Sequence, residues 1–383
     1  MNNIIVVLLL VLLSGLFQGG FDIESETPPF AMEEAGNENK VNPNSSSEDL
    51  SRIVVPDYQF QGGLYGAVMA YNAENLENEN PWQSDLALAT LPVYQNGCYD
   101  PSGKGALYGL SEEEMMAKLT ETAEVLGLEI YSTKLGTNAT KGMDGGLIPG
   151  DMVYRITADT NNGRLIAEAD GTLIYNIPTG YPLPEEYTFA SKGNTEEEAE
   201  AALGYLAECF ATLMDYDDPE MIVEGSYNRS GQFVRSYRVY DGSSDHVENM
   251  LGYNFCYAEF SPDDEGNLMM IRIRNGLTKG EKIGDYPIIS VEEAQAKLLA
   301  GEYQTSVPAS VEDISSVAKA DLVYRNGATE ETLLPYYRFY VELSNAEGLL
   351  LSGTEGMKAY GIYYVPAVQD EYIFSQEEGL QYQ

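Results

Sequence analysis

Apolar positions recur at helical spacing in three places. After Thr195 the series Leu203, Leu206, Phe210 and Leu213 marks one face of a helix. Leu119, Ala123 and Leu126 do the same after Ser111 and stop at Gly127, and a shorter stretch after Ser290 stops at Gly301. Each stretch opens on one pattern, [ST]-x-E-E-[AM]-x-A-x-L, at Ser111 to Leu119, Thr195 to Leu203 and Ser290 to Leu298. This is a capping box. The leading hydroxyl accepts from the amide three residues on, and Glu114, Glu198 or Glu293 accepts from the cap amide in return. Between the helices the period falls to two. Strands are predicted at 128–133, 152–159, 164–168 and 172–176, then at 221–227, 232–240, 254–260 and 268–274, and finally at 322–325, 334–342 and 360–368. Asn-Gly and Asp-Gly turns separate several of them, as in antiparallel hairpins.

A second marker recurs in register. Tyr154-Arg155, Tyr237-Arg238 and Tyr337-Arg338 each fall on a predicted strand at a similar distance after their cap. The expected fold is therefore α+β, with three repeated units, each a helix packed on a small antiparallel sheet. The units span 57–190 (with an N-terminal extension), 191–285 and 286–374, followed by a flexible tail at 375–383. Within 56–110 the one clear strand is at 90–94.

The N-terminal end reads differently. Residues 4–17 are almost purely apolar, shorter than the roughly 20 residues a membrane helix needs. Residues 1–21 are expected to be a signal peptide or a short hydrophobic anchor. Residues 22–56 are polar, acidic and rich in Asn, Ser and Pro, and are expected to be a disordered acidic tether. The localisation expected is extracytoplasmic, either secreted or held through the N-terminus.

Charge narrows the partners. The 383 residues include 61 acids and 21 bases, a net charge of −40. Such a field repels nucleic-acid phosphates and anionic lipid, so no nucleic-acid partner is expected.

The third helix and its surroundings carry a family resemblance. Tyr286-Pro287-Ile288-Ile289-Ser290, Gly301-Glu302-Tyr303, Leu334-Pro335-Tyr336-Tyr337-Arg338 and Tyr363-Tyr364-Val365-Pro366-Ala367 resemble the C-terminal unit of YycH/YycI-type regulatory proteins of Firmicutes. The helix-plus-strand pattern as a whole resembles PepSY-like units of exported bacterial proteins. The resemblance covers the third unit well and the first two loosely. It implies an extracytoplasmic, non-enzymatic module that contacts another protein or modulates a sensor.

Candidate chemistry is sparse. The single His246 lies beside Ser243, Ser244 and Asp245 in a predicted polar loop, with no nucleophile elbow. Three scattered cysteines, Cys98, Cys209 and Cys256, suit small buried apolar groups; a Cys209–Cys256 disulfide is an alternative. Neither set makes a zinc site, and no metal or other cofactor is expected. The Gly-rich stretch from Gly97 to Gly105 lacks phosphate-loop spacing. Acidic turns at Asp215, Asp217, Asp218 and Glu220, and at Asp263, Asp264 and Glu265, lack the spacing of a calcium loop. The expected binding residues are Tyr154, Arg155, Tyr237, Arg238, Tyr337 and Arg338, because Tyr and Arg are favoured interface anchors. Their alternative role is internal, with Arg paired to carboxylates and Tyr filling half-buried strand positions. The function expected is a non-enzymatic binding or regulatory module with a protein partner at the membrane or cell wall. The alternatives are a secreted acidic hydrolase using a carboxylate pair, and a surface or spacer protein.

Overall fold

All three capping boxes form. Ser111, Thr195 and Ser290 each accept from the amide of Glu114, Glu198 or Glu293, whose carboxylate accepts from the cap amide in return. The computed structural model describes residues 50–55, 67–76, 80–84, 86, 88–99, 108–137, 154–307, 309–325, 330–344 and 354–375. The expected signal or anchor, most of the expected tether, the Lys104 end of the Gly-rich stretch and most of the tail lie outside the described residues.

In chain order, β1 (Ile53–Val55), β2 (Ala67–Ala70) and β3 (Thr90–Gln95) precede α1 (Glu112–Leu126). Strands β4 (Ile130–Thr137), β5 (Tyr154–Thr160), β6 (Gly163–Glu168) and β7 (Leu173–Tyr181) follow. Helix α2 (Glu196–Cys209) and the single turn α3 (Ala211–Met214) lead to β8 (Pro219–Tyr227) and β9 (Phe233–Asp241). Helix α4 (His246–Phe255) separates these from β10 (Cys256–Pro262), β11 (Leu268–Asn275) and β12 (Glu281–Pro287). After α5 (Val291–Ala300) come β13 (Gln304–Thr305), β14 (Val317–Tyr324), β15 (Thr332–Leu333), β16 (Pro335–Glu342), β17 (Lys358–Pro366) and β18 (Ile373–Ser375).

The expectation of three helix-on-small-sheet units is corrected here. Among the described residues the protein is mostly β, with 43% strand against 23% helix, and its main sheet has 13 antiparallel strands. Their order is β14-β16-β17-β2-β8-β9-β10-β11-β7-β6-β5-β4, with β13 added beside β17. Two junctions merge what separate units would have kept apart. At the first, β11 pairs with β7, Ile271 opposite Tyr175, which satisfies two edges that would otherwise expose their backbone groups. At the second, β2 bridges β17 and β8, with Ala359 opposite Met69 and Met69 opposite Tyr227. The apolar core is shared as well. Leu119 of α1 and Leu203 of α2 belong to one cluster with Tyr237 and Ile271. A second cluster joins Leu298 of α5 to Phe339, Tyr363 and Trp82. Two small sheets complete the body: β12-β3-β15, and the parallel pair β1-β18.

The main sheet curls. In a flat sheet β9 and β14, five strand spacings apart, would be about 24 Å from each other. Yet Gly252 of α4 lies against the Asp241 carbonyl at the end of β9, so close that a Cβ would sit 1.7 Å from the oxygen. Two residues on, Asn254 Oδ1 accepts from the Tyr324 amide of β14 at 3.0 Å. Residues two apart in a helix are separated by about 5 Å, so the sheet bends around α4. The face toward α4 is called inner below; α1, α2 and α5 pack on the outer face.

Candidate functional site: the inner face of the sheet

Side chains alternate across a strand, so adjacent residues of a Tyr-Arg pair face opposite ways. Each tyrosine turns outward, toward the helices. Tyr237 is 1% exposed and Tyr337 3% exposed. The Tyr237 hydroxyl donates to the Ala190 carbonyl at 2.6 Å and accepts from Asn194 Nδ2 at 2.7 Å. The Tyr337 hydroxyl donates to the Ile289 carbonyl at 2.8 Å. Both carbonyls lie just ahead of a capped helix, so each tyrosine fixes the chain's approach to α2 or α5. Tyr154 is half-buried against the cluster that holds α1.

The arginines turn inward, and α4 brings two of them together. The Arg238 guanidinium lies 4.3 Å from the Tyr257 ring and 5.5 Å from the Tyr253 ring. It also pairs with Glu259 at 3.5 Å, the residue directly opposite on β10. Tyr253, on α4, donates its hydroxyl to Glu224 at 3.2 Å. Burial pushes the Tyr253 hydroxyl's pKa up and Glu224 adds to this, while Arg238 and Arg338 both pull it down. Arg338 Nη2 donates to Asp321 Oδ2 at 2.9 Å and the guanidinium lies 5.2 Å from the Tyr340 ring. Asp321 also pairs with Lys319 at 3.6 Å. Burial works against both charged guanidiniums, but the surrounding tyrosines and carboxylates outweigh it, so the pKa of each is raised. Such buried charges persist only when paired and hydrogen-bonded.

The same pattern continues beyond β14. Arg325 pairs with Glu330 at 2.6 Å, hydrogen-bonds Gln304, and lies 5.2 Å from the Tyr364 ring. Arg155 is set apart. It faces Glu168 on β6 at 3.9 Å, on the part of the inner face that also carries Arg272 and Arg274. Burial raises the Glu168 carboxyl, with Arg155 foremost among the arginines opposing it. The three Tyr-Arg pairs thus do not converge on one point. Two arginines share the curl under α4, and the third lies on the more open inner face nearer β4.

Other candidate residues have local roles. His246 is the first residue of α4 rather than part of a loop, and it is exposed. Asp245 accepts from the Val247 and Glu248 amides as the helix cap, and Ser243 Oγ donates to Glu248. Asp263 Oδ1 accepts from the Glu265 and Asn267 amides and so closes its turn; the Asn267 side chain, foremost, holds its carboxyl below the usual range. Asp241 Oδ1 accepts from the Asp217 and Asp218 amides. Among the described residues no three or more His, Cys, Asp or Glu side chains are grouped to hold a metal ion. The three cysteines are unpaired, and Cys209 is exposed rather than buried as expected. Helix α4, which organises the inner face, was not expected from the sequence. Its Gly252 reads as a turn signal, whereas the structure needs glycine there for the approach to Asp241.

No family model matches the chain, and no curated protein matches it. Among solved structures it is similar to an uncharacterized protein from Eubacterium rectale ATCC 33656, at 11% identity over 74% of this chain and 84% of that one, with a TM-score of 0.31.

Proposed function

We propose that the protein is an exported, non-enzymatic recognition module that meets a protein or cell-envelope partner outside the cytoplasmic membrane. The observation that carries this reading is the placement of the ends of the folded body relative to its free strand. The parallel pair β1-β18 clamps residues 53–55 to 373–375, with Arg52 donating to the Ile373 carbonyl. This clamp packs through Ile53, Val55 and Ile373 on Tyr336 of β16, the strand beside β14 at one end of the strand order. Strand β4 ends that order at the other side. A body gripped at one end and open at the other suits a tethered module. The apolar stretch at 4–17 and the acidic stretch at 22–51 support a tether leading to it. The arginines of the curl, Arg238 and Arg338, belong to internal pairs, which moves recognition from the curl to the surface.

The exposed Cys209 offers a test of location. In intact cells a membrane-impermeant maleimide is expected to label Cys209 as fully as in lysed cells, and Cys209→Ser to remove that label. Burial raises the thiol pKa of Cys98 and of Cys256 to about 11, which slows their reaction. Labelling that appears only after lysis overturns the reading.

A further inference from the structure

We propose that β4 is a docking edge that takes up an extended, acidic polypeptide segment as an additional strand. This rests on the recognition reading above and gives the partner its chemistry. Among the described residues β4 pairs on one side only, with β5. Its other side presents a row of backbone donors and acceptors. Residues 131–135 are all exposed, with Tyr131 at 64% and Leu135 at 41%. Edge strands are commonly protected by proline, several charges or brevity. This one has eight residues, no proline and one charged side chain, Lys134.

Charge selects the occupant. On the inner face, Lys134 lies opposite Thr157, beside Arg155 and Asp159 of β5. Arg164 and Glu168 follow on β6. Three bases and two acids thus line the three strands nearest the edge, in a chain of 21 bases and 61 acids. Arg155 and Arg164 have carboxylate partners, Glu168 and Asp159. Lys134 has no ion-pair partner among the described residues. At physiological salt the field of distant charges is screened over about 8 Å, so this local strip governs contact at the edge. An added strand points alternate side chains to the inner face, where carboxylates would lie beside Lys134 and within reach of Arg155. The unpaired backbone of β4 favours a polypeptide over another polyanion. A second copy's β4 carries Lys134 and no carboxylate, so self-pairing does not supply the acidic side chains this strip selects.

The full chain is titrated with a short peptide alternating Thr and Glu, a matched peptide alternating Thr and Lys, and inorganic polyphosphate. Affinity, amide hydrogen exchange over 130–137 and sedimentation are followed. The Thr/Glu peptide is expected to bind and to slow exchange across 130–137, and the Thr/Lys peptide to do neither. Lys134→Glu, at an exposed position, is expected to weaken that binding about fivefold while leaving the circular dichroism spectrum and thermal midpoint unchanged. Unchanged exchange over 130–137 with the acidic peptide overturns the proposal. So does polyphosphate binding that is equally sensitive to Lys134→Glu without slowing exchange, or self-association that protects β4 in the absence of peptide. Export with no protection of β4 refutes this inference alone, whereas protection of β4 in a protein confined to the cytoplasm refutes the recognition reading outside the membrane alone.

Discussion

Arg338 and Asp321 show what holds the inner face together. Asp321 is 3% exposed and faces Arg338 directly across β14 and β16. Removing one member of a buried ion pair costs more than removing both, because the survivor stays charged with less to pair with; here Asp321 would keep only Lys319 at 3.6 Å. Arg338→Met alone is expected to lower stability by about 3 kcal/mol, and Arg338→Met with Asp321→Leu to recover most of it. Urea denaturation of both variants checks this; equal losses would mean the pair is not what buries the two groups. The tyrosines of the Tyr-Arg pairs have a different task. Tyr237 and Tyr337 anchor backbone carbonyls ahead of their helices, so the repeated dipeptide serves both faces of the sheet at once.

At the scale of elements, the capped helices are tied to distant parts of the chain. Glu114 of α1 closes its own capping box with one carboxylate oxygen and takes Lys279 Nζ at 2.6 Å with the other. Lys279 foremost, and then Ser111, hold the Glu114 carboxyl down from 4.5 to about 2. Because the pKa is depressed, the stabilising effect is full above 4.5 and is lost as pH falls toward 2. Lys279→Ala is expected to move the Glu114 titration back toward the ordinary carboxylate range, as read by carboxyl NMR. A Glu114 that still titrates near 2 would assign the effect to the cap alone.

The elements also mark what sequence pattern can and cannot reveal. The three capping-box helices and most predicted strands could be read from periodicity and turn residues, which act locally. The merging of the strands into one sheet could not. It depends on β2, four apolar residues in a segment with no strong period, and on the pairing of β7 with β11, where two edges meet. The direction of each Tyr-Arg pair was implicit in strand alternation. The carboxylate facing each arginine was not, because that depends on the pairing register of one strand against another, as between Arg238 and Glu259 or Arg338 and Asp321.

For the whole molecule, shared cores predict shared unfolding. Trp82, the chain's one tryptophan, reports on the cluster around α5. A fluorophore on the exposed Cys209 reports on α2, whose Leu206 lies in the cluster shared with α1. The two probes are expected to give coincident denaturation midpoints; well-separated midpoints would point to independently folding units.

The most direct test of recognition at the open end of the sheet is a photocrosslinking amino acid placed at Tyr131 in intact cells, with Leu299 on α5 as a second exposed site. The expected result is one discrete protein adduct at position 131, reduced about fivefold in Lys134→Glu and absent at 299. Equal crosslinking at both sites, or none at 131 in correctly exported protein, would contradict the assignment of β4 as the surface that meets the partner.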